Sequence, residues 1–231
     1  VAAAASDMAH HAADAETRKA QQALYDFLVP VVKGFSTEMS IQVASLGVQV
    51  HGGMGFIEET GAAQHYRDAR ILTIYEGTTA IQANDIVGRK TVRDGGVVAR
   101  AVCAQVALTE QDLATHAGVD CAVMGKALRS AREALEQVVD HIVTHGKTNP
   151  RAVYAGAVHY LQLAGVVLCG WQMARAMMVA IDHMDEDAAF HAAKVRTARF
   201  YAESILPTAF GLARAVITGG ETIAQAPADM F

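Results

Sequence analysis

Proline, the residue most disruptive to a helix interior, is rare in this sequence. Alanine, which has the highest helix propensity, is abundant throughout the 231 residues. The four prolines are Pro30, Pro150, Pro207 and Pro227. No run alternates apolar and polar side chains as a half-buried strand does, whereas the apolar residues from Ala131 to Val143 recur every three or four positions, as in a helix with one buried face. The sequence therefore predicts an all-α fold, an up-and-down helical bundle with short loops.

Glycine and polar turns divide the chain into separate helices. We expect one alanine-rich helix over residues 2–29 and a second over residues 31–51, which stops at a pair of glycines. Pro30 between them ends the first helix, lies in a kink or starts the second helix, and the residues leave these possibilities open. A short helix over residues 61–68 and a connector that reaches Glu76 follow.

The segment Arg93–Gly96, with the sequence RDGG, is the best internal boundary, because the pattern beyond it changes to long amphipathic helices. We therefore expect two domains, residues 1–93 and residues 94–231, the second an additional helical bundle. The chain begins at Val1, without a methionine, in an alanine-rich helical stretch. This start favours a portion of a longer protein whose first domain is incomplete at its N-terminus.

Composition narrows the classes of partner. The chain is 52% hydrophobic and 19% charged, with a formal net charge of −5 and a pI of about 6.0. This balance argues against nucleic acid as the main partner, because phosphate binding needs clustered Lys and Arg. Cys103, Cys121 and Cys169 are far apart in sequence, which favours reduced thiols and a cytoplasmic location.

Two further segments bear on membranes and export. The longest unbroken apolar run covers residues 163–171, about half of what a membrane span needs, so it predicts a buried helix and no membrane span. The N-terminal residues lack a basic start followed by an apolar core, so we expect no secretion signal.

A glycine-rich stretch, Gly52 to Phe56, superficially resembles a phosphate-binding loop. Gly53 and Gly55 fit the first two glycines of the dinucleotide-binding pattern, but Glu58 stands where the third is required and no strand precedes the stretch. The residues by themselves favour a helix stop in which glycine adopts a positive φ.

The histidines and cysteines do not form a metal-binding pattern. His141 and His145 are four residues apart and can share a helix face, but the sequence between them lacks the acid of a zinc motif. We interpret them as a surface pair and predict no metal site. No Ser-His-Asp or Cys-His arrangement is specific enough to nominate.

Glu76 lies in the sequence YEGTTAIQ, residues 75–82, just before a predicted helix. Thr79 and Gln82 fit a capping box, and Thr78 is an equally acceptable cap. An acid at the start of a helix is stabilised by the helix dipole and needs no catalytic role.

The alternative role for Glu76 is a general base. The apolar Ile74 and Tyr75 and the small Gly77 are consistent with a dry pocket that a substrate can approach closely. Burial in such a pocket would raise the pKa of the carboxyl group into a range useful for a base. The residues alone leave both roles open.

Several short elements follow one another in a fixed order within residues 49–90. They are Gln49, Gly52, Gly53, Gly55, Phe56, Glu59, Arg67, Asp68, Arg70, Ile74, Tyr75, Glu76, Gly77, Thr78 and Ile81. This order resembles the C-terminal helical domain of the acyl-CoA dehydrogenases. The helix before it fits that family's pattern only loosely.

The resemblance implies an FAD-dependent enzyme that removes the α and β hydrogens of an acyl-CoA thioester. By this match Glu76 is the base that takes the α-proton, and Tyr75 and Gly77 line the path of the acyl chain. The β-hydrogen leaves as hydride to FAD. Arg67 and Asp68 are assigned to structural ion pairing.

The same resemblance implies FAD contacts at Gln49, Gly52, Gly53 and Thr78. The glycine turn would contact the FAD of a neighbouring subunit, which implies a homo-oligomer, a dimer or a tetramer. The family often has a polar residue where this chain has Ala80, so one possible FAD contact is in doubt.

The residues after Val97 resemble the extension of larger bacterial members, of which some act on fatty acyl-CoAs and some on 3-methylmercaptopropionyl-CoA. The resemblance also implies an electron-acceptor flavoprotein or an equivalent partner. Acyl chain length and the acceptor's identity are not determined by these residues.

Two other classes of function compete with the enzyme. A non-catalytic helical module for oligomerisation or interaction would explain the long apolar stripes, but not the order of the elements around Glu76. The hypothesis of a helical ligand-binding regulator is weaker, because the chain is acidic and lacks a basic recognition helix for DNA.

Overall fold

A computed structural model describes residues 1–230 of the chain. Every regular element in that range is a helix or a helical turn, so the predicted all-α fold is confirmed. The chain divides into two compact units, Val1–Ile86 and Val87–Phe231. The division lies a few residues before the boundary expected after Arg93, which stays a prediction.

The first unit is built from helices of unequal length. They are α1 (Ala2–His11), α2 (Ala15–Pro30), α3 (Ser36–Val50), α4 (Gly53–Phe56), α5 (Ala62–Ile71) and α6 (Thr79–Val87), whose last residue belongs to the second unit. Helix α1 packs against α2, and α5 packs against α3.

The single helix expected over residues 2–29 is wrong, because the chain breaks between α1 and α2. Asp14 caps α2: its carboxylate accepts a hydrogen bond from the backbone N–H of Thr17 at 2.7 Å. That hydrogen bond holds the pKa of Asp14 below its usual value. A good N-cap therefore overrides the high helix propensity of the alanines around it.

Pro30 does not end the helical path. A π-helical turn, Val31–Phe35, follows it directly and leads into α3, so the backbone is helical from Ala15 to Val50. A proline lacks the N–H that an α-helix interior requires, and irregular turns in long helices are typically found at such residues. Of the three possibilities for Pro30, the structure thus shows a proline within an irregular helix.

Helix α3 is apolar in sequence, yet none of its residues is buried. Val43, Leu46 and Val50 are 62%, 63% and 85% exposed. They recur at helical spacing and form one uncovered apolar strip.

The second unit is a bundle of longer helices. They are α7 (Val97–Thr115), α8 (Val119–His145), α9 (Pro150–Ala155), α10 (Ala157–Asp182), α11 (Ala188–Phe200) and α12 (Thr208–Gln225), with π-turns at Gly88–Val92 and Tyr201–Ile205. The predicted stripe of α8 is confirmed, since Ala131, Leu135, Val138, Val139 and Ile142 are fully or almost fully buried.

Helix α10 lies in the middle of this bundle and contacts α7, α8, α11 and α12. Among the described residues it is the one helix long and apolar enough to cross a membrane, and 56% of its most apolar window is buried within the protein. Core helices of proteins that do not enter membranes have the same length and composition, so this is weak support for a span.

Candidate active site

The connector between α5 and α6, residues 72–78, carries the acid singled out above. Its first turn is closed by the backbone N–H groups of Ile74 and Tyr75, which donate to the carbonyl oxygen of Ile71 at 3.0 and 3.3 Å. Thr73 is buried within it and accepts a hydrogen bond from the Arg70 guanidinium at 2.5 Å. The connector is therefore an ordered set of turns.

Glu76 has an unusual backbone conformation. Its φ is 51°, and among the described residues no other non-glycine residue has a positive φ. A side chain in this left-handed region costs about 1–2 kcal/mol. Gly77 follows with φ 92°, and a Cβ there would lie 2.5 Å from the side-chain nitrogen of Gln82. The chain thus makes two consecutive left-handed residues at this point.

The side chain of Glu76 is exposed, and so are its neighbours Ile74 and Tyr75, at 49% and 46%. Among residues 1–230 the pocket expected from these neighbours is not formed, because Ile74 and Tyr75 do not cover the carboxylate, which is exposed. Desolvation of Glu76 would have to come from a bound substrate or from other protein residues.

The start of α6 differs from the expected capping box. Thr79 is the first residue of α6, so the cap position belongs to Thr78, and the Thr79 hydroxyl donates to a carboxylate oxygen of Glu38 at 2.5 Å. The hydroxyl of Thr78 accepts instead from the backbone N–H of Ile81, at 3.5 Å. Thr78 is exposed, so its hydroxyl also remains accessible to a ligand.

Two residues that sequence reasoning missed hold this connector. The Lys33 ammonium donates to the carbonyl oxygen of Leu72 and lies 5.1 Å from the ring centroid of Tyr75. Glu38 contacts the other end of the connector by accepting a hydrogen bond from Thr79. Lys33 and Leu72 are 39 residues apart in sequence, so this contact cannot be predicted from a local sequence pattern.

The glycine turn terminates α3, as the sequence predicted for a helix stop. Gly52 has φ 60° and ψ −142°, a conformation that side chains strongly disfavour. A Cβ on Gly55 would lie 2.2 Å from the carbonyl oxygen of Val48, so this residue must be glycine to pack against α3. Gly53 and Gln49 are exposed, and the space above Gly52 and Gly53 is open.

The glycine turn and Glu76 lie at opposite ends of α3. Glu38, which holds the connector through Thr79, belongs to the first turn of α3, whereas Gly52 follows its last turn. At about 1.5 Å per residue the two groups are roughly 20 Å apart along the helix. The candidate residues therefore form two clusters, one around Glu76 and Thr78 and one around Gln49, Gly52 and Gly53.

Further features surround the glycine turn. Arg67 makes a bidentate ion pair with Glu58, at 2.8 and 3.0 Å, which ties the turn before α5 to that helix and agrees with the structural pairing expected for Arg67. A shallow cavity of about 360 Å³ adjoins the end of α3; His51 and His65 are among its lining residues.

The described part of the second unit, residues 87–230, adds no candidate catalytic group. The rings of His141 and His145 lie 4.7 Å apart, and burial is the main cause that lowers the pKa of His141. Within residues 1–230 no group of three or more His, Cys, Asp or Glu side chains is placed to hold a metal ion.

Comparison with known proteins accounts for both units. The family model "Acyl-CoA dehydrogenase, C-terminal domain" matches residues 2–90. The model "Acetyl-CoA dehydrogenase C-terminal like" matches residues 99–227, more than half of the chain. The chain belongs to the acyl-CoA dehydrogenase family.

Individual acyl-CoA dehydrogenases resemble the chain over most of its length. It is 48% identical to the 3-methylmercaptopropionyl-CoA dehydrogenase of Ruegeria pomeroyi over 87% of this chain and 34% of that protein. It is 33% identical to the broad-specificity linear acyl-CoA dehydrogenase FadE5 of Mycobacterium tuberculosis over 79% of this chain and 31% of that protein.

A shorter match of 40% identity, over 25% of this chain and 15% of the relative, is to the caffeyl-CoA reductase-Etf complex subunit CarC of Acetobacterium woodii. The chain spans about a third of the length of the two acyl-CoA dehydrogenases that it matches over most of its own length.

Proposed function

We propose that this chain is the C-terminal helical part of an FAD-dependent acyl-CoA dehydrogenase and that Glu76 is the catalytic base. Family membership supports the class of reaction. The observation that carries the assignment of the base is the positive φ of Glu76. Strained residues of this kind persist mainly at functional sites, where the surrounding structure holds them in place.

The proposed role of Glu76 is to take the α-proton of an acyl-CoA thioester. Its carboxylate is exposed at a turn, and the next residue, Gly77, has no side chain to obstruct a substrate. When bound, FAD supplies the acceptor for the hydride from the β-carbon, so that a Cα=Cβ double bond remains. Tyr75 and Gly77 would flank the acyl chain.

The residues proposed to hold FAD fit a large polar ligand. Gly52 and Gly53 have open space where a Cβ would stand, so a ligand can approach the backbone closely. The amide of Gln49 and the hydroxyl of Thr78 are exposed and can donate hydrogen bonds. Ala80 has no polar group for this purpose.

The separation of about 20 Å between the two clusters supports a homo-oligomer. We infer that the cluster at Glu76 serves the substrate site of its own subunit, whereas the cluster at Gly52 contacts the flavin of a neighbouring subunit. A dimer or a tetramer satisfies this arrangement.

The relatives support a proposal for the substrate and the electron acceptor, and the cysteines support one for the location. We propose an acyl-CoA substrate, with 3-methylmercaptopropionyl-CoA and linear acyl-CoAs as the two candidates. The relative in an Etf complex supports an electron-transferring flavoprotein as the acceptor. The three unpaired cysteines support a cytoplasmic location.

The uncovered apolar strip of α3 supports a larger protein around this chain. Val43, Leu46 and Val50 would be covered by residues that the relatives have outside the matched third. We therefore expect the chain by itself to bind FAD weakly or not at all and to have no dehydrogenase activity.

The test uses the longer protein that contains this chain. The flavin-loaded protein is mixed without oxygen with 3-methylmercaptopropionyl-CoA and with linear acyl-CoAs, and the visible absorbance of the flavin is followed. Glu76→Gln is compared with Glu59→Gln, another exposed acid of the same unit, on the turn Glu58–Thr60.

We expect an acyl-CoA to bleach the wild type and Glu59→Gln, while Glu76→Gln binds it and stays yellow. Equal bleaching of all three proteins would place the base elsewhere and leave Glu76 as a helix-start residue. A longer protein that holds no flavin would favour the non-catalytic interaction module.

A further inference from the structure

The geometry points to Lys33 as a positioning residue that holds the connector in the conformation that presents Glu76. This inference rests on the proposed function where it concerns catalysis. The contact between Lys33 and the connector is a property of the structure and can be tested independently. Lys33 contacts Leu72 and Tyr75, so it would act on Glu76 through the connector and is not itself the base.

Lys33 makes two contacts with one side of the connector. Its ammonium donates a hydrogen bond to the carbonyl oxygen of Leu72 and lies over the ring of Tyr75, 5.1 Å from the centroid. Lys33 is half-buried, so both contacts are partly shielded from water and are stronger than they would be on an open surface. A single side chain thus fixes the backbone and the ring that precede Glu76.

A hydrogen bond to Glu38 fixes the other end of the connector. Glu38 accepts a hydrogen bond from the Thr79 hydroxyl at 2.5 Å, just after Glu76 and Gly77. Both anchors lie on the same continuous helical path, Lys33 within the π-turn and Glu38 in the first turn of α3. The two ends of the segment are therefore held by one rigid element.

The π-turn has a role in this arrangement. It contains one more residue per turn than an α-helix, so it changes the direction in which the side chains on either side of it point. The Thr37 hydroxyl donates to the carbonyl oxygens of Lys33 and Gly34, at 2.7 and 3.2 Å, and so satisfies backbone groups near the irregular turn. Lys33 therefore belongs to a stretch of backbone that is stabilised by these hydrogen bonds.

The held ends explain how Glu76 can keep a positive φ. A free turn would relax to a common conformation, whereas two fixed ends leave the intervening residues little choice. Loss of the Lys33 contacts should therefore loosen residues 73–78 and misplace the carboxylate. Small displacements of a reacting group lower the rate of a chemical step by roughly 10- to 100-fold.

Three variants test this role. Lys33→Met keeps the stem of the side chain but removes the charge and the donor, and Lys33→Arg keeps both. Lys19→Met is the matched control, because Lys19 is an exposed lysine on the same helical path, in α2. Far-UV circular dichroism first establishes that all three fold.

The first measurement is amide hydrogen exchange of the chain itself. We expect the amides of Ile74 and Tyr75, which are hydrogen-bonded in the connector, to exchange at least about tenfold faster in Lys33→Met and to be unchanged in Lys19→Met. Unchanged exchange in Lys33→Met would overturn the positioning role. If Lys33→Met does not fold, Lys33→Gln takes its place.

The second measurement is flavin bleaching by saturating acyl-CoA in the longer protein. We expect Lys33→Met to lower the limiting rate by roughly 10- to 100-fold while the dissociation constant of acyl-CoA stays within about twofold, and Lys33→Arg to restore most of the rate. A limiting rate equal to the wild type would overturn the catalytic part. Glu76→Gln distinguishes failure of the proposed base from failure of the role of Lys33. If Glu76→Gln bleaches normally, the proposed base is wrong. The hydrogen-exchange result then still decides whether Lys33 holds the connector.

Discussion

Arg132 donates hydrogen bonds to both carboxylate oxygens of Glu110, at 2.7 and 3.1 Å, between α8 and α7. The Glu110 side chain is 3% exposed and that of Arg132 is 12% exposed. Arg132 also donates to Glu136, one turn further along α8, at 2.8 Å. The pair is thus an interior charge pair whose partners compensate each other.

Glu110→Gln should destabilise the second unit by about 3 kcal/mol, because it leaves the buried guanidinium with fewer charged partners. The free energy of unfolding is measured in urea by the fluorescence of Trp171, the single tryptophan, which is buried in the same unit. The control is Glu133→Gln, an exposed acid 3.8 Å from Arg132, which should change stability by less than about 0.5 kcal/mol. Equal effects of the two variants would contradict the buried pairing.

Glu76→Gly should stabilise the first unit by about 1 kcal/mol, since glycine adopts φ 51° without the strain of a side chain. The stability is measured by hydrogen exchange of the most protected amides of that unit. Glu59→Gly, which removes another exposed acid of the same unit without a positive φ, should instead be neutral or destabilising. A loss of stability in Glu76→Gly would show that the strain is absent or is offset by contacts of the side chain.

The thiols should be slow to react in the folded chain. Burial raises the pKa of Cys103 to about 12, and it also raises the pKa values of Cys121 and Cys169. Because the thiolate is the nucleophile, Cys103 at about pH 8 should react roughly a thousandfold more slowly than a free cysteine. Colorimetric titration with a disulfide reagent checks this, and all three thiols should react at once in denaturant.

His116 should make stability depend on pH. Its ring donates to the carbonyl oxygen of Asp112 at 3.0 Å and lies 3.4 Å from Asp182, and the first of these contacts is the larger cause of its raised pKa. The fold therefore favours the protonated ring, and this stabilisation is complete below the usual pKa of 6.5 and disappears as the pH rises through the folded value.

The measurement compares wild type with His116→Gln. The difference in the free energy of unfolding should be larger at about pH 5.5 than at about pH 9. Burial of the ring opposes protonation, so the effect should be modest. In an Asp182→Asn background the difference should shrink; a difference that grows with pH would contradict the assignment.

The parts of the fold that follow from local sequence were predictable. The stripe of α8 follows from apolar spacing, and the stop at Gly52 follows from the conformational freedom of glycine. The break before Asp14 was missed because alanines on both sides favour helix equally, and only the cap decides where the helix restarts. The helical path through Pro30 depends on a π-turn, which no propensity scale represents.

The candidate site was predictable only as a motif. Its order in the sequence identified Glu76 and the glycine turn, but not their separation along α3. Exposure of Glu76 was also missed, because an apolar neighbour in sequence can lie beside a side chain without covering it. The roles of Lys33 and Glu38 could not be predicted from the sequence, since their contacts join residues that are 39 and 41 positions apart.

The central position of α10 has a consequence for synthesis. Two of its neighbours, α7 and α8, precede it in the chain, whereas α11 and α12 follow it. A ribosome that adds about 5–20 residues per second needs a few seconds to pass from Asp182 to Gln225. During that interval the nascent helix carries a bare apolar flank of the kind that chaperones recognise, and its burial is complete only once α11 and α12 have been synthesised.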